Sequence, residues 1–247
     1  MEKETKIFGL RAIIEAINAG NDIEKVYLLK ENQGAIAKEL LYLIRKNNIA
    51  VSYVPVEKLN KLSRNQNHQG AVAKISEIAF VELDDLITDV IDQKVIPLFL
   101  ILDQITDVRN LGAIIRTAEC TGVNGIIIPV HGSAPINADA IKTSAGAAFN
   151  IPICKVNHTL DAVYQLQAAD IKTVAVTEKT SQNFYDIDLK IPVALIMGSE
   201  HKGISSSILK IADFKGKLPI LGDIDSLNVS VACGVALYEA VRQRGVS

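Results

Sequence analysis

Three short polar clusters interrupt the otherwise apolar second half of the chain, and each follows an apolar run. They are Asn110-Leu111-Gly112-Ala113-Ile114-Ile115-Arg116, Met197-Gly198-Ser199-Glu200-His201-Lys202-Gly203-Ile204, and the stretch from Leu218 through Ser226, Asn228 and Ser230. In the third, Ser226, Asn228 and Ser230 occupy alternate positions just before a helix-like run, Val231 to Arg242. Ser and Asn are strong N-cap residues, and the free N–H groups of a helix start can hold an anion or a carbonyl-bearing ligand. A polar cap on a core helix accounts for the stretch equally well. Arg116 stands among Ile114, Ile115 and Ala118, and a surface or ion-paired arginine is the plain explanation for it. Taken singly, the clusters leave their chemistry open.

Other chemistries find less support. No Gly-x-Gly-x-x-Gly follows a strand and no P-loop pattern occurs, so the usual dinucleotide and nucleotide fingerprints are missing. Cys120, Cys154 and Cys233 are far apart, with no Cys-x-x-Cys and no histidine at ligand spacing. Buried reduced thiols without metal or disulfide are therefore expected. His131, His158 and His201 lack a Ser or Cys partner pattern and read as surface or capping residues rather than bases. No carboxylate pair stands out for acid–base work.

The elements that must position the clusters follow from periodicity. Pro97–Leu102, Gly125–Pro129, Thr173–Val176 and Val193–Met197 read as buried strands, with helices at 111–121, 137–143 and 160–169. Strand, helix and strand within about 33 residues is the unit of a parallel sheet. The clusters lie at the C-terminal edge of such strands, where ligands of parallel α/β sheets collect. Leu218–Leu221 is read as a further short strand. Val231–Leu237 is apolar on nearly every side, so that helix is expected to be buried all round.

Earlier in the chain, helices at 10–19, 36–46 and 56–62 alternate with strands at 25–29, 50–54 and 70–75, a small layered α/β domain. Its loop Ser63–Gly70 is polar and lightly basic. A solvated connection explains it. An RNA-facing loop explains it too, with Arg64 on phosphate and the amides of Asn67 and Gln69, beside His68, toward bases or ribose. The acidic stretch 79–96 reads as a short amphipathic helix, a linker or a packed crossover, between domains at 1–78 and 97–247.

The 247 residues are 49% hydrophobic with a formal net charge of −2, so a nucleic-acid contact must rest on local patches. The first 80 residues carry 12 Lys/Arg against 9 Asp/Glu, so the charge is unevenly spread. No window suggests a membrane span, and the charged start Met1–Lys6 lacks a signal-peptide core. A soluble cytoplasmic protein is expected.

In order and spacing, the three clusters resemble the three motifs of the SpoU (TrmH-like) RNA ribose 2′-O-methyltransferases. The likeness spans about residues 97–245. Residues 1–78, with Phe8-Gly9 and His68-Gln69-Gly70, resemble the substrate-binding domain often fused ahead of that enzyme. The resemblance implies S-adenosylmethionine as cofactor and a C-terminal parallel-sheet domain with a deep trefoil knot, its threaded segment including residues 218–242. It also implies a homodimer through that domain, and no metal. Backbone groups at Gly198, Leu218, Ile220 and Leu227 would hold the cofactor, with Thr177 near the adenosine. A side chain at Gly198 is expected to block close approach of the cofactor.

By the same resemblance Arg116 activates the ribose hydroxyl, Asn110 and Glu200 orient Arg116 and the ribose, Ser226 touches phosphate, and Asn228 closes the loop. Acting as a base near neutral pH would require an arginine shift of about 5 units, roughly 7 kcal/mol. An electrostatic role on phosphate and developing alkoxide is favoured here, with base catalysis left open. The domain ahead of the motifs and the ending Arg242–Gly245 look like the enzymes acting on guanosines of large-subunit rRNA. A tRNA methyltransferase and a non-catalytic RNA-binding scaffold are the alternatives, and a dinucleotide-dependent oxidoreductase is disfavoured by the missing glycines.

Overall fold

The computed structural model describes residues 5–21, 23–30, 34–47, 49, 51–75, 78–200 and 202–245. They form two compact units, residues 1–78 with 135–150, and residues 79–134 with 151–247.

In the first unit, β1 (Thr5–Phe8), α1 (Leu10–Asn18), β2 (Ile23–Leu29), α2 (Ala35–Lys46), β3 (Val51–Val54), α3 (Val56–Leu62) and β4 (Ala71–Ile75) build a mixed sheet ordered β1-β4-β2-β3. Only β2 and β3 run parallel. Alternate strand residues point to opposite faces. Phe8 and Val72 thus meet Leu59 of α3 in one cluster.

The second unit begins earlier than its first strand. The acidic stretch is no free linker: α4 (Leu83–Asp92) puts Leu83, Leu86, Ile87 and Val90 into the core of this unit, because its apolar residues recur at helical spacing. Then come β5 (Leu98–Asp103), α5 (Val108–Cys120) and β6 (Gly125–Pro129). The chain next contributes α6 (Ala138–Thr143) to the first unit, a segment expected to stay in the second. It returns as β7 (Ile153–Val156), α7 (Thr159–Ala168), β8 (Lys172–Val176), β9 (Val193–Gly198), α8 (Ser206–Ile211), β10 (Phe214–Gly216) and α9 (Val229–Arg244).

The six strands are all parallel, in the order β10-β8-β9-β5-β6-β7. From β5 the order runs one way to β6 and β7, while β9, β8 and β10 lie on its other side. The sheet therefore has a switch point beside β5 and β9, the place where crossover loops part and leave a crevice. Asp103, 3% exposed at the end of β5, braces this edge. Its Oδ1 accepts from Thr159 Oγ1 at 3.0 Å and its Oδ2 from Ser205 N at 2.8 Å.

Three expectations need correction. Leu218–Leu221 is not a strand; pairing ends with β10 and an isolated bridge at Lys217, and Pro219, which has no N–H to donate, follows at once. Helix α9 is not buried all round: Val231 is 52% and Tyr238 57% exposed, seven residues apart on one side. Cys154 and Cys233 are buried with thiols pushed up to about 12 by burial, but Cys120 is exposed. Among the described residues no helix is long and apolar enough to cross a membrane, and no His/Cys/Asp/Glu cluster could hold a metal.

Helix α9 is fastened at its end. Arg244 donates from Nε to Leu189 O, from Nη1 to Ile96 O, and from Nη2 to Pro97 O and Ile191 O, all within 3.0 Å. Those carbonyls lie at or just before the starts of β5 and β9.

A second brace is Asp213. Its Oδ2 accepts from Thr173 N, Thr173 Oγ1 and Gln167 Nε2 at 2.7–2.9 Å. Burial alone would raise its carboxyl, but these hydrogen bonds, with Lys172, win and hold it at about 2. A depressed carboxyl stabilises the fold above its ordinary value of 3.8 and loses that contribution as pH falls toward 2. Asp213→Asn is expected to lower unfolding free energy at pH 7 by about 1–3 kcal/mol. In urea titrations the difference from wild type should shrink between pH 4 and pH 2; a constant difference would contradict this assignment.

Candidate active site

The C-terminal edge of β5, β8, β9 and β10 is where the three motifs converge. Asp107 starts α5: its Oδ1 accepts from Asn110 N at 2.8 Å, a side-chain N-cap. That cap sets Asn110 in the first turn. Asn228 caps α9 in the same way, its Oδ1 accepting from Ser230 N at 3.0 Å and Val231 N at 3.4 Å. Ser230 Oγ adds a third bond to the same oxygen at 2.6 Å. With its oxygen held from the helix side, the amide nitrogen of Asn228 must face away from the helix.

It faces Glu200. Glu200 Oε1 accepts from Asn228 Nδ2 at 2.6 Å, Asn110 Nδ2 at 3.2 Å and Val229 N at 3.3 Å. Asn228 Nδ2 also donates to Asn110 Oδ1 at 3.0 Å. One carboxylate oxygen of the second motif thus joins the first and third at the start of a 16-residue helix, where negative charge is favoured by unpaired N–H groups and the helix dipole. Both amide protons of Asn228 are consumed. One Asn110 amide proton and Glu200 Oε2 stay available, since no described residue bonds them.

Glu200 also lines a cleft of about 360 Å³. Of the other residues singled out from sequence, Thr177, Gly198, Leu218, Ile220, Ser226 and Leu227 line it as well. Its volume lies within the range of small-molecule sites, about 300–1,000 Å³. Aliphatic walls from Leu218, Ile220 and Leu227 suit a flat or apolar ligand body, while the surrounding backbone carries N–H and C=O groups for its polar edges. Thr177 is 5% exposed and its Oγ1 accepts from Lys179 N at 3.2 Å, so the hydroxyl shapes the turn after β8.

The fold itself supplies a reason for glycine at 198 beside the one expected. A Cβ there would stand 2.1–2.5 Å from backbone atoms of Gly203 and Ile204. The Ser199–Gly203 turn folds back onto β9, closed by Gly203 N to Ser199 O at 2.8 Å, and only a residue without a side chain admits it. His201 lies outside the described residues.

Arg116 is not part of this assembly. It lies six residues beyond Asn110 on α5, about 9 Å along the axis and 240° around it. It is exposed, and it forms no hydrogen bond or ion pair among the described residues. Asn110 and Glu200 therefore bond to each other and to Asn228, and do not orient Arg116 in this chain.

In the first unit, Arg64, Asn67 and Gln69 are exposed, Arg64 and Gln69 with positive φ. His68 is turned inward, 9% exposed. Its Nδ1 accepts from Gly70 N at 2.9 Å, which leaves Nε2 protonated to donate to Asn60 Oδ1 at 3.1 Å. Burial, and then the charge of Lys142, lowers its pKa. His68 is a neutral brace of the loop and not an RNA-facing group. The Asn67 carbonyl accepts from Lys142 Nζ at 2.7 Å, tying the loop to α6.

Sequence reasoning missed Asp107 and Ser230 as positioning residues. The Asp-x-x-Asn spacing of an N-cap was there to be read for the first. For the second, the Asn-x-Ser pair at the helix start was visible, but not that the serine turns back to its own cap.

A parallel α/β domain with a ligand cleft at its switch point defines the class of molecule, and comparison with known proteins narrows it. Residues 97–238 match the SpoU rRNA methylase family, and residues 6–81 match RNA 2′-O ribose methyltransferase substrate binding. YacO of Bacillus subtilis, placed in the TrmH family of tRNA/rRNA methyltransferases, is 34% identical over 96% of this chain and 95% of its own length. The 23S rRNA (guanosine-2′-O-)-methyltransferase RlmB of Vibrio parahaemolyticus is 33% identical over 96% of each chain. The crystal structure of an AdoMet-bound rRNA methyltransferase from Sinorhizobium meliloti superposes with a TM-score of 0.80 at 26% identity, covering 99% of this chain and 88% of the other. The chain belongs to the SpoU rRNA methylase family.

The cap geometry separates two residues that looked alike in sequence. Ser226→Ala removes no hydrogen bond among the described residues and should change unfolding free energy by less than about 0.5 kcal/mol. Asn228→Ala removes the cap of α9 and a partner of Glu200, and should cost about 1–2 kcal/mol. Equal losses in chemical denaturation would count against the assigned cap.

Proposed function

We propose that this chain transfers a methyl group from S-adenosylmethionine to a ribose 2′-hydroxyl of RNA, on a guanosine of large-subunit (23S) rRNA. The observation that carries the reading is the bonding of Asn110, Glu200 and Asn228 at the mouth of a cleft lined by the expected cofactor residues. The likeness to an rRNA guanosine enzyme over nearly the full length of both chains favours rRNA over tRNA.

When bound, S-adenosylmethionine supplies an electrophilic methyl group on a sulfonium centre. The residues of the chain do the rest. The walls at Thr177, Gly198, Leu218, Ile220 and Leu227 hold the cofactor. Glu200 Oε2 accepts a hydrogen bond from the ribose and the free amide proton of Asn110 donates one, which fixes the hydroxyl for in-line attack; positioning of this kind contributes several kcal/mol. Ser226, exposed at the cleft edge, meets the phosphate, and Asn228 closes the loop against α9. Arg116, outside the Asn110–Glu200–Asn228 assembly of its own chain, contacts the target phosphate and acts at longer range through its charge on the negative charge that develops as the hydroxyl, hydrogen-bonded to Glu200 Oε2, gives up its proton in step with methyl transfer. An exposed guanidinium without a carboxylate partner suits that role.

The exposed side of α9, with Val231 and Tyr238, together with Leu221 and Ile224 at 99% and 77% exposure, supports a homodimer through this domain. The trefoil knot, with residues 218–242 in the threaded segment, is part of the same reading, as is a cytoplasmic location. The exposed Arg64, Asn67 and Gln69 give the first unit its RNA-facing loop.

Incubation with labelled cofactor and protein-free rRNA or tRNA tests the reading. Label is expected in a ribose-methylated guanosine of 23S rRNA, recovered as an alkali-resistant dinucleotide. Arg116→Ala is expected to lower the rate at least about 100-fold with cofactor affinity unchanged, and Arg116→Lys to recover part of it. Label in tRNA alone, or on a base, would contradict the assignment; cofactor and RNA binding without transfer would favour a scaffold.

A further inference from the structure

Beside the first cleft lies a second one of about 350 Å³, lined by Gln104, Lys179, Lys202, Ser205, Ser206 and Leu209. Lys179 and Lys202, with Gly203 and Ile204, line both, so whatever fills the second cleft lies next to the first. Its described lining holds two ammonium groups and no carboxylate. Neither lysine is in an ion pair among the described residues; Lys179 Nζ donates to the carbonyl of Lys202 at 3.5 Å. Two carboxylates adjoin the lining in sequence: Asp103 is already engaged by Thr159 and Ser205 N, and Glu178 lines the first cleft only, where its Oε2 accepts from Thr177 Oγ1 at 3.5 Å.

Gln104 adds an independent sign. Its φ of 61° is a conformation that costs a residue with a side chain about 1 kcal/mol or more. Such strain persists where the surroundings over-determine it. Here it follows directly on the braced end of the central strand and sets Gln104 in the cleft wall. The lining thus offers cations for an anionic oxygen, an amide and two hydroxyls for a sugar edge, and the aliphatic Leu209 for a ring face.

That set matches a nucleotide. We propose that the second cleft takes one nucleotide of the RNA strand flanking the methylated residue, with its phosphodiester between Lys179 and Lys202. The proposal rests on the reading of the chain as an RNA methyltransferase. One other source of the same chemistry exists, the carboxylate at the methionyl end of the cofactor, and the test separates the two.

The full-length protein is assayed for binding to protein-free ribosomal RNA from 50 to 300 mM KCl, and for S-adenosylmethionine by calorimetry. Gln104→Glu and Ser206→Glu alter only the second cleft, and each is expected to weaken RNA binding several-fold with cofactor affinity unchanged. Replacing Lys179 and Lys202 together by Gln should weaken RNA binding about tenfold at 0.1 M KCl. It should also lower the slope of log affinity against log salt by about 2, one per lysine. Thermal unfolding at the wild-type temperature keeps these comparisons valid, and the two glutamate variants report independently of the lysine pair. Unchanged RNA affinity and slope in all three would overturn the proposal, as would loss of cofactor affinity in the lysine pair with RNA binding intact. Those results leave wild-type methyl transfer in place and so fail this inference alone; a wild type that neither binds nor methylates RNA fails both.

Discussion

A carboxylate at the start of a helix organises this domain. Glu200 comes from the turn after β9, yet its Oε1 is shared by Asn110 of α5 and by Asn228 and the backbone of α9. These segments are separated by 90 and 28 residues in sequence. Without a common acceptor their polar groups would compete for water at the mouth of a cleft. A charge-assisted bond is roughly twice as strong as a neutral one, and the helix start adds its own preference for negative charge. The neighbours comply: Asp107 sets Asn110, Ser230 sets Asn228, and Gly198 lets the turn that carries Glu200 fold back on its strand. The far end of α9 is held as firmly by Arg244. The helix is thus clamped between the site and the opposite edge of the sheet.

The division of labour follows. Groups inside the assembly are consumed by one another, which fixes geometry and leaves few of them free for substrate. Groups outside it, Arg116 and the paired lysines at 179 and 202, are exposed cations without carboxylate partners. A net charge of −2 hides this local arrangement. It is compatible with RNA recognition because phosphate contacts act over a Debye length of about 8–10 Å rather than over the whole molecule.

Much of this was legible in sequence because periodicity reports burial. The four buried strands of the second unit and the helices of the first unit follow from spacing alone. What failed did so for identifiable reasons. Leu218–Leu221 has strand composition, but Pro219 cannot join a ladder. The short elements β7, β10 and α8 carry too few residues to show a period. Helix α9 has apolar residues around its circumference, and composition cannot say which side another surface covers. His68 falls among the expected RNA-facing residues because its loop is polar, yet its ring is turned into the fold by Asn60 and Gly70. The motif residues could be placed at one edge of a sheet, but not paired. That Asn110 bonds Glu200 and Asn228 while Arg116 faces elsewhere depends on helix phase and caps.

The most direct test of the shared carboxylate is a double-mutant cycle on methyl transfer, with Glu200→Gln, Asn228→Ala and the pair. If one oxygen joins the motifs, each single change breaks the same assembly. The double variant should then be at least about fivefold faster than the product of the single losses, a coupling of roughly 1 kcal/mol or more. Strictly multiplicative losses would contradict the account, because they would mean that Glu200 and Asn228 serve the reaction independently.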